Sequence, residues 1–209
     1  MAIVQNPIIG RSRKSLANTT FTTYKGQNVI KSKALTVANP RTAGQVSQRN
    51  IFKEVVAFAR PLLPLIKISF KEAATRMSEY NAFVSANVKA TKAAGSIGAA
   101  VLTGTLQFAK GTIGKVVDGL AIAGAGDAVS VTWTNNSDGV TALDSDKLAF
   151  IILDADGVVL KAGITSYARS LGSANLGTVV GGWEAGYGMY CWFIRASEGK
   201  ASDSALVAS

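Results

Sequence analysis

Apolar residues in the C-terminal half of the chain follow the two-residue period, or the continuous runs, that are typical of β-strands. Val129, Val131 and Trp133 alternate with polar side chains, which predicts a strand with one buried face. Residues 148–153 read Leu-Ala-Phe-Ile-Ile-Leu and predict a continuous apolar strand. The pair Asp156-Gly157 comes next and predicts a tight hairpin turn. This half of the chain is therefore expected to be β-structure.

Further apolar stretches near the C-terminus complete the expected β-structure. Residues 198–200 predict a turn and residues 204–208 a closing edge strand. Together with strands expected from residues 101–109 onwards, about seven short strands predict an antiparallel sandwich of immunoglobulin or fibronectin type III shape. Side chains at 190–194 should alternate between the two sides of a strand, with Tyr190, Trp192 and Ile194 on one side and Cys191 and Phe193 on the other.

In the N-terminal half the apolar spacing changes to that of helices. Thr42 with Gln45 is a capping-box pattern, and the apolar residues after it predict a helix over about residues 42–60. Ser69 with Glu72 repeats the pattern and predicts a second helix to about residue 90. The two helices should pack as a hairpin, with a core formed by Val46, Phe52, Val55, Val56, Ala59, Phe70, Ala73, Ala74, Met77, Phe83, Val84 and Val88.

The beginning of the chain is polar, basic and rich in threonine. Residues 19–24 precede a turn at Gly26 and predict the first strand of a β-hairpin. Lys31 and Lys33, in the second strand, are two residues apart and are therefore expected on one strand face. Residues 1–18 are expected to form an extended basic arm.

Charge is divided unevenly along the chain. Residues 1–93 carry 15 Lys and Arg against three Glu, a net charge of +12, whereas the remaining residues carry 7 basic and 10 acidic side chains, a net charge of −3. No acidic residue precedes Glu54. A basic segment joined to a nearly neutral folded module is typical of a chain whose basic part binds a partner, and an enzyme pocket does not require it.

Composition excludes several classes of catalytic site. The chain contains no histidine, which removes His-dependent nucleophile systems, His-ligated metals and His-based pH switches. Cys191 is the only cysteine, so no intrachain disulfide or thiolate zinc site forms, and this residue is expected to be buried in its apolar strand. We therefore predict no catalytic residue, no metal site and no cofactor, and we assign the protein as a non-enzyme.

Two motifs approach a functional pattern without completing it. Lys115 follows a glycine, but the residues around it lack the first Gly and the Ser or Thr that a phosphate-binding loop requires. The stretch that begins at Asp154 resembles the start of a calcium loop, but Thr165 occupies the twelfth position, where that loop has Glu. A hairpin turn is the preferred interpretation, and a weak cation site formed with Asp144 and Asp146 is the alternative.

Short motifs spread over most of the chain carry a likeness to a known family. They are Asn6-Pro7 with Gly10, Tyr24-Lys25-Gly26 with Asn28-Val29, Val37-Ala38-Asn39-Pro40-Arg41-Thr42, Gln45, Gln48-Arg49, Phe52, Phe70-Lys71-Glu72-Ala73, Ser78, Tyr80-Asn81-Ala82-Phe83, Thr132-Trp133-Thr134-Asn135-Asn136-Ser137, and Glu198-Gly199-Lys200 with Ser202 and Ser204. The chain resembles an uncharacterised family, a domain of unknown function common in Bacteroidetes-type bacteria and their mobile elements. The resemblance implies no known activity.

A further likeness concerns phage proteins. The motif at residues 39–42, Asn-Pro-Arg-Thr, followed by spaced Gln and Arg on a helix, is similar to segments of phage structural proteins. This likeness implies a component of a virion or particle. The family also occurs in host genomes, so a bacterial protein is the alternative.

The basic residues of the N-terminal part are the candidate contact residues. Two kinds of partner fit them: the acidic surface of a neighbouring subunit, or nucleic-acid phosphates with Phe21 and Tyr24 available for stacking. A solvated basic face without a partner is the third interpretation. The candidate residues for nucleic-acid or subunit contact are Arg11, Arg13, Lys14, Lys31, Lys33, Arg41, Arg49 and Lys53.

We predict an α+β protein: a basic arm, β-hairpin and helical hairpin over residues 1–93, a linker at 94–98, and an antiparallel immunoglobulin- or fibronectin III-like β-sandwich over 99–209. The leading function is a non-enzymatic structural protein of a multi-subunit assembly, in the first place a phage or phage-like virion, with copies of itself or other subunits as partners. The alternatives are a nucleic-acid-binding protein without sequence preference, acting through the basic half, and a cell-surface adhesion module. We recognise neither a signal peptide nor a membrane span, so the virion or the host cytoplasm is the expected location.

Overall fold

A computed structural model describes most of the chain in two compact units. The described residues are 2–4, 14–24, 26–34, 36, 38–123, 128–179, 183, 184 and 186–207. The units are Met1–Thr42 and Ala43–Ser209, called here the N-terminal unit and the core unit.

The N-terminal unit contains a four-stranded antiparallel sheet with the strand order β1-β4-β3-β2. The strands are β1 (Ala2–Val4), β2 (Lys14–Leu16), β3 (Thr19–Tyr24) and β4 (Gln27–Ser32). The predicted hairpin is therefore confirmed, and Gly26 takes the positive φ of 81° that its turn requires. Two segments of the expected extended arm are strands of this sheet, and residues 17 and 18 form the turn from β2 to β3. The other residues of the arm, 1 and 5–13, lie outside the described residues.

The helices of the core unit are α1 (Ala43–Ala59), α2 (Leu63–Ser69), α3 (Glu79–Ala94) and α4 (Ile97–Leu102). The first helix is confirmed, since α1 begins directly after Thr42. The second predicted helix corresponds to α3, which begins ten residues after Ser69, the residue that the sequence predicts as its cap. Ser69 instead ends α2, and the side chain of Ser78 caps α3 by accepting a hydrogen bond from Asn81 N at 3.2 Å.

The remaining strands form two antiparallel sheets. A three-stranded sheet has the order β5-β6-β9, and a five-stranded sheet has the order β11-β10-β7-β8, with β12 also paired to β10. These strands are β5 (Val117–Ala123), β6 (Ala128–Thr134), β7 (Lys147–Leu153), β8 (Val159–Ala168), β9 (Ser173–Thr178), β10 (Gly188–Arg195), β11 (Lys200–Ala201) and β12 (Ala205–Val207). A 3-10 helix, Arg169–Leu171, joins β8 to β9.

The five-stranded sheet is the middle layer of three. From β10, Tyr190 and Trp192 belong to a buried cluster shared with the helices. Met189, Cys191 and Phe193 belong to a second buried cluster, shared with the three-stranded sheet. The predicted alternation in this strand is confirmed. The mixed α+β class is also confirmed, with the helices covering one face of the middle sheet.

Side-chain hydrogen bonds tie the helices to the middle sheet. Trp192 Nε1 donates to Ser69 Oγ at 3.0 Å, and Tyr190 Oη donates to the Val101 carbonyl at 3.0 Å. The helices and the middle sheet share one core, so the chain divides after Thr42. The sequence predicts this boundary at residues 94–98. Gly95 at the end of α3 and Ser96 at the start of α4 join two consecutive helices there.

The strand expected at residues 101–109 is wrong. Val101 lies in α4, whose N-terminus is capped by Ser96 Oγ, the acceptor for Ala99 N at 3.2 Å. The small residues that suggested a strand instead allow close packing: a Cβ on Gly98 would lie 2.5 Å from the Ala155 carbonyl oxygen. Across the described ranges, no helix combines the length and the apolar character that spanning a membrane requires.

The close approach of α4 to the turn after β7 predicts a pair of opposite glycine effects. Gly98→Ala should lower the free energy of unfolding by about 1–3 kcal/mol, because the added methyl meets backbone atoms that must move. Gly44→Ala is the control, because its Cβ would contact nothing within 4 Å in α1, and it should raise stability by up to about 1 kcal/mol. Urea denaturation measures both. Equal stability of Gly98→Ala and the wild type would contradict the packing described.

Candidate interaction surfaces

The basic side chains predicted to bind a partner are exposed wherever the structure describes them. In the N-terminal unit, Lys14 begins β2, Lys31 lies in β4 and Lys33 follows that strand, and all three are exposed. Arg11 and Arg13 lie outside the described residues. The sequence of this unit contains no Asp or Glu, so its only charged side chains are positive.

The register of the N-terminal sheet separates two of these lysines. Lys14 pairs with Phe21, whereas Lys31 pairs with Thr20, the neighbour of Phe21 on β3. Because consecutive residues of a strand point to opposite faces, Lys14 and Lys31 lie on opposite faces of the sheet. The unit therefore presents positive charge on both faces.

Few of the described apolar side chains of the N-terminal unit are buried. Val29 is the one buried hydrophobic among them, at 4 % exposure, whereas Leu16 and Tyr24 are more than 60 % exposed. A unit of this size needs a metal, disulfides or association with other protein to be stable, unless it buries a sizeable apolar face. The described side chains of β2, β3 and β4 do not supply such a face.

The other predicted contact residues lie further along the chain. Arg41, which precedes α1, is exposed and belongs to the N-terminal unit. Arg49 and Lys53 are exposed residues of α1, in the core unit, and their spacing of four places them on one side of the helix. The predicted set is thus distributed over both units.

A groove between α1 and α3 lies beside Arg49 and Lys53. It has a volume of about 570 Å³ and is lined by Gln48, Phe52, Tyr80, Asn81, Val84, Ser85, Val88, Lys89 and Lys92. Its two charged lining residues, Lys89 and Lys92, are basic, and none is acidic. We call this surface the helical groove.

The sequence predicted Phe52 as a core residue, yet it is 52 % exposed in the helical groove. The buried side of α1 is formed by Ile51, Val55 and Ala59, which are spaced four residues apart. Apolar residues occupy more than one side of this helix, and the sequence pattern alone does not distinguish the buried side from the groove side. Met77, also assigned to the core, is 49 % exposed.

The loop at residues 135–146, called here the acidic loop, is a second exposed surface. Val140 at its tip is 78 % exposed. Asp138 Oδ1 accepts hydrogen bonds from Val140 N at 2.8 Å and Ala142 N at 2.7 Å, and Asp138 Oδ2 accepts one from Thr141 Oγ1. These hydrogen bonds hold the pKa of Asp138 well below its usual range, and the bond from Thr141 has the largest effect. The carboxylate is therefore ionised.

At the base of the acidic loop, Asp146 is buried between two arginines. Its carboxylate forms ion pairs with Arg195 Nε at 2.8 Å and Arg169 Nη2 at 3.4 Å. Its Oδ2 also accepts a hydrogen bond from Leu143 N at 2.9 Å. Arg169 is fully buried, with its guanidinium carbon 3.8 Å from the centroid of the Phe193 ring. Sequence reasoning did not identify either arginine, because residues separated by up to 49 positions come together only in the fold.

The two arginines respond differently to this environment. Burial lowers the pKa of the Arg169 guanidinium, whereas the hydrogen bond to Asp146 raises the pKa of Arg195. The remaining polar contacts of Arg169 are structural: Nη2 donates to the Gly114 carbonyl at 2.8 Å and Nη1 to the Asn136 side chain. The cluster therefore joins the acidic loop to both sheets.

The carboxylates considered for a cation site have other partners. Asp154 Oδ1 accepts from Asp156 N at 3.0 Å and Val158 N at 2.7 Å, which confirms the hairpin turn. Asp144 accepts from the Asn135 side chain at 3.1 Å, and Asp146 pairs with arginines. Within the part of the chain that the structure describes, no group of three or more Asp, Glu, Cys or His is placed to hold a metal ion.

Cys191 is a buried free thiol, as the sequence predicts. Burial raises the pKa of this thiol, so it remains protonated at neutral pH. This position therefore has the character of a packing residue.

Comparison with known proteins identifies one family. The model of a family of unknown function, DUF6266, matches residues 11–207. No curated protein and no solved structure matches the chain.

The buried charge cluster predicts a specific stability effect. Asp146→Asn should lower the free energy of unfolding by about 3–5 kcal/mol, because it leaves the buried Arg169 without a counter-charge and Arg195 with only the partly exposed Glu198, at 3.5 Å. Asp156→Asn, at an exposed turn position, is the matched control and should stay within about 0.5 kcal/mol of the wild type. Chemical denaturation at neutral pH compares the variants, and equal effects at the two positions would contradict a structural role of Asp146.

Proposed function

The chain belongs to the DUF6266 family of unknown function, and we propose that it is a non-enzymatic structural subunit of a multi-subunit assembly, in the first place a phage or phage-like virion. As parts of the same proposal, the two sheets of the core unit form a sandwich of immunoglobulin or fibronectin type III kind, and the protein is of bacterial or bacteriophage origin, located in the virion or the host cytoplasm.

One observation carries this proposal: the described side chains of the N-terminal sheet bury little apolar surface. Val29 is the buried hydrophobic side chain among its described residues, and every residue of β2 is exposed. Edge strands with unpaired backbone groups bind further protein readily. A neighbouring subunit that covers this sheet would supply the missing burial.

The core unit supports the proposal as a rigid building block. Its middle sheet is covered on both faces, and the buried carboxylate of Asp146 pairs with both Arg169 and Arg195. Side chains held in this way stabilise one conformation and are not available for proton transfer. This arrangement suits a subunit that provides shape and contact surfaces.

The proposal predicts self-association and protection of the N-terminal unit. In light scattering after size-exclusion chromatography, the full chain should show a mass several times that of one copy, rising with concentration. Trypsin should cleave slowly after Lys14, Lys31 and Lys33 in the assembled fraction, and rapidly after dilution to single copies. A monomer at all concentrations, with a rapidly cleaved N-terminal unit, would contradict the proposal.

Nucleic-acid binding is the second candidate function. The observation that favours it is the absence of any Asp or Glu from the N-terminal unit, whose described lysines are exposed on both faces of the sheet. Phosphates attract such a surface regardless of base sequence. The partner would then be the nucleic acid packed inside, or handled by, the assembly.

This second function predicts a strong dependence of binding on salt. With about six phosphate contacts, a plot of the logarithm of the binding constant for a labelled oligonucleotide against the logarithm of the salt concentration should have a slope of roughly −5. The double variant Lys31→Gln, Lys33→Gln should reduce the steepness of that slope by about 2, whereas Lys67→Gln, Lys115→Gln should leave it unchanged. Fluorescence anisotropy measures the slopes. Absence of binding at low salt would rule this function out.

A further inference from the structure

The helical groove is suited to an apolar side chain that is accompanied by carboxylates. Its apolar lining includes Phe52, Val84 and Val88, and its charged lining residues are Lys89 and Lys92. The hydroxyl of Tyr80, which also lines it, donates to the Val56 carbonyl at 3.1 Å and thereby holds the two helices together. The groove is therefore a preformed surface with a defined chemical preference.

The acidic loop of the same chain has the complementary chemistry. Val140, 78 % exposed, lies in the sequence between Asp138 and Asp144, which are also exposed, and the Asp138 carboxylate is ionised. Hydrogen bonds from Ser137 and Asn135 lower the pKa of Asp144, so this group is also negative. An exposed apolar side chain flanked by two negative charges matches an apolar groove with two positive charges at its rim.

Hydrogen bonds and an ion pair within the chain hold the acidic loop in one conformation before any partner is present. Asp138 accepts two backbone N–H groups and the Thr141 hydroxyl, and Asp146 anchors the end of the loop to Arg169. A preorganised loop loses little conformational entropy when it binds, which favours association.

We propose that the acidic loop of one copy of this chain inserts Val140 into the helical groove of a second copy. This inference rests on the proposed function and assigns one subunit contact of the assembly. Lys89 and Lys92 of the second copy pair with Asp138 and Asp144 of the first.

The helical groove and the acidic loop are held in different layers of the core unit, so the contact joins two copies of the chain. The groove is formed by α1 and α3, whereas the acidic loop is bonded to the β-layers: Asn136 Nδ2 donates to the Lys115 carbonyl at 3.1 Å, and Asp146 pairs with Arg169. A contact between two different surfaces of identical chains is head-to-tail, and it generates rings or filaments. Two grooves facing each other would instead bring four lysines together, which charge repulsion disfavours.

Two variants with opposite charge changes test the contact. The loop variant Val140→Lys, Asp144→Lys leaves the one carboxylate of Asp138 beside two added lysines, and so gives the loop the positive sign that the groove carries with Lys89 and Lys92. The groove variant Lys89→Glu, Lys92→Glu gives the groove the sign of the loop. Each variant alone should weaken self-association at least about tenfold in sedimentation velocity. An equimolar mixture should associate again, because the lysine loop fits the glutamate groove and the original loop fits the original groove.

Controls of the same charge are available on other exposed positions. Arg60→Glu, Lys67→Glu matches the groove variant, and Asp156→Lys, Val158→Lys, at two exposed positions, matches the loop variant. Both controls should associate as the wild type does. Recovery in the mixture also demonstrates that the two test variants are folded.

The alternative results have distinct meanings. If the wild type associates and both test variants associate equally well, the loop–groove contact is wrong while the proposed function stands. If the wild type remains a single copy at all concentrations, the proposed function fails and the contact fails with it. If association requires nucleic acid, detected by absorbance at its own maximum, nucleic acid joins the copies and the loop contact is overturned.

Discussion

The two central strands of the middle sheet, β7 and β10, must be buried on both faces, and the arrangement of the core unit follows from this requirement. Every residue of β10 is buried, and its side chains alternate between the two core clusters. Each large apolar side chain so buried contributes about 1.5–3 kcal/mol relative to exposure. Helices cover one face and the three-stranded sheet covers the other, so the helices belong to the core unit and not to the basic N-terminal part.

Covering both faces also determines where charge remains available. The helices present basic side chains outwards, while Glu54 and Glu72 are engaged by backbone N–H groups, of Ile97 and Thr112 respectively. In the β-layers, Asp138 and Asp154 lie in loops or turns and accept hydrogen bonds from backbone N–H groups. One chain thus carries a basic helical surface and an acidic loop surface, and the proposed contact between copies rests on this complementarity.

The N-terminal unit and the core unit represent two different solutions to stability. The core unit contains both buried clusters, whereas the described part of the N-terminal unit combines a regular sheet with a single buried hydrophobic side chain, Val29. A sheet of that kind gains most when another surface covers it. This difference favours a role in which the core unit supplies the body of a subunit and the N-terminal unit supplies contact with its surroundings.

The sequence by itself determined what depends on neighbouring residues: the hairpin at Gly26, the start of α1, the alternation in β6 and β10, and the turn at Asp156-Gly157. These features were predictable because turn chemistry and side-chain period act within a few residues. Only the tertiary structure decided that α4 replaces a strand, that Phe52 lines a groove, and that Asp146 pairs with Arg169 and Arg195. It also divided the predicted basic residues between two units and placed Lys14 and Lys31 on opposite faces. Such features depend on which distant segments become neighbours, and local periodicity carries no information about that choice.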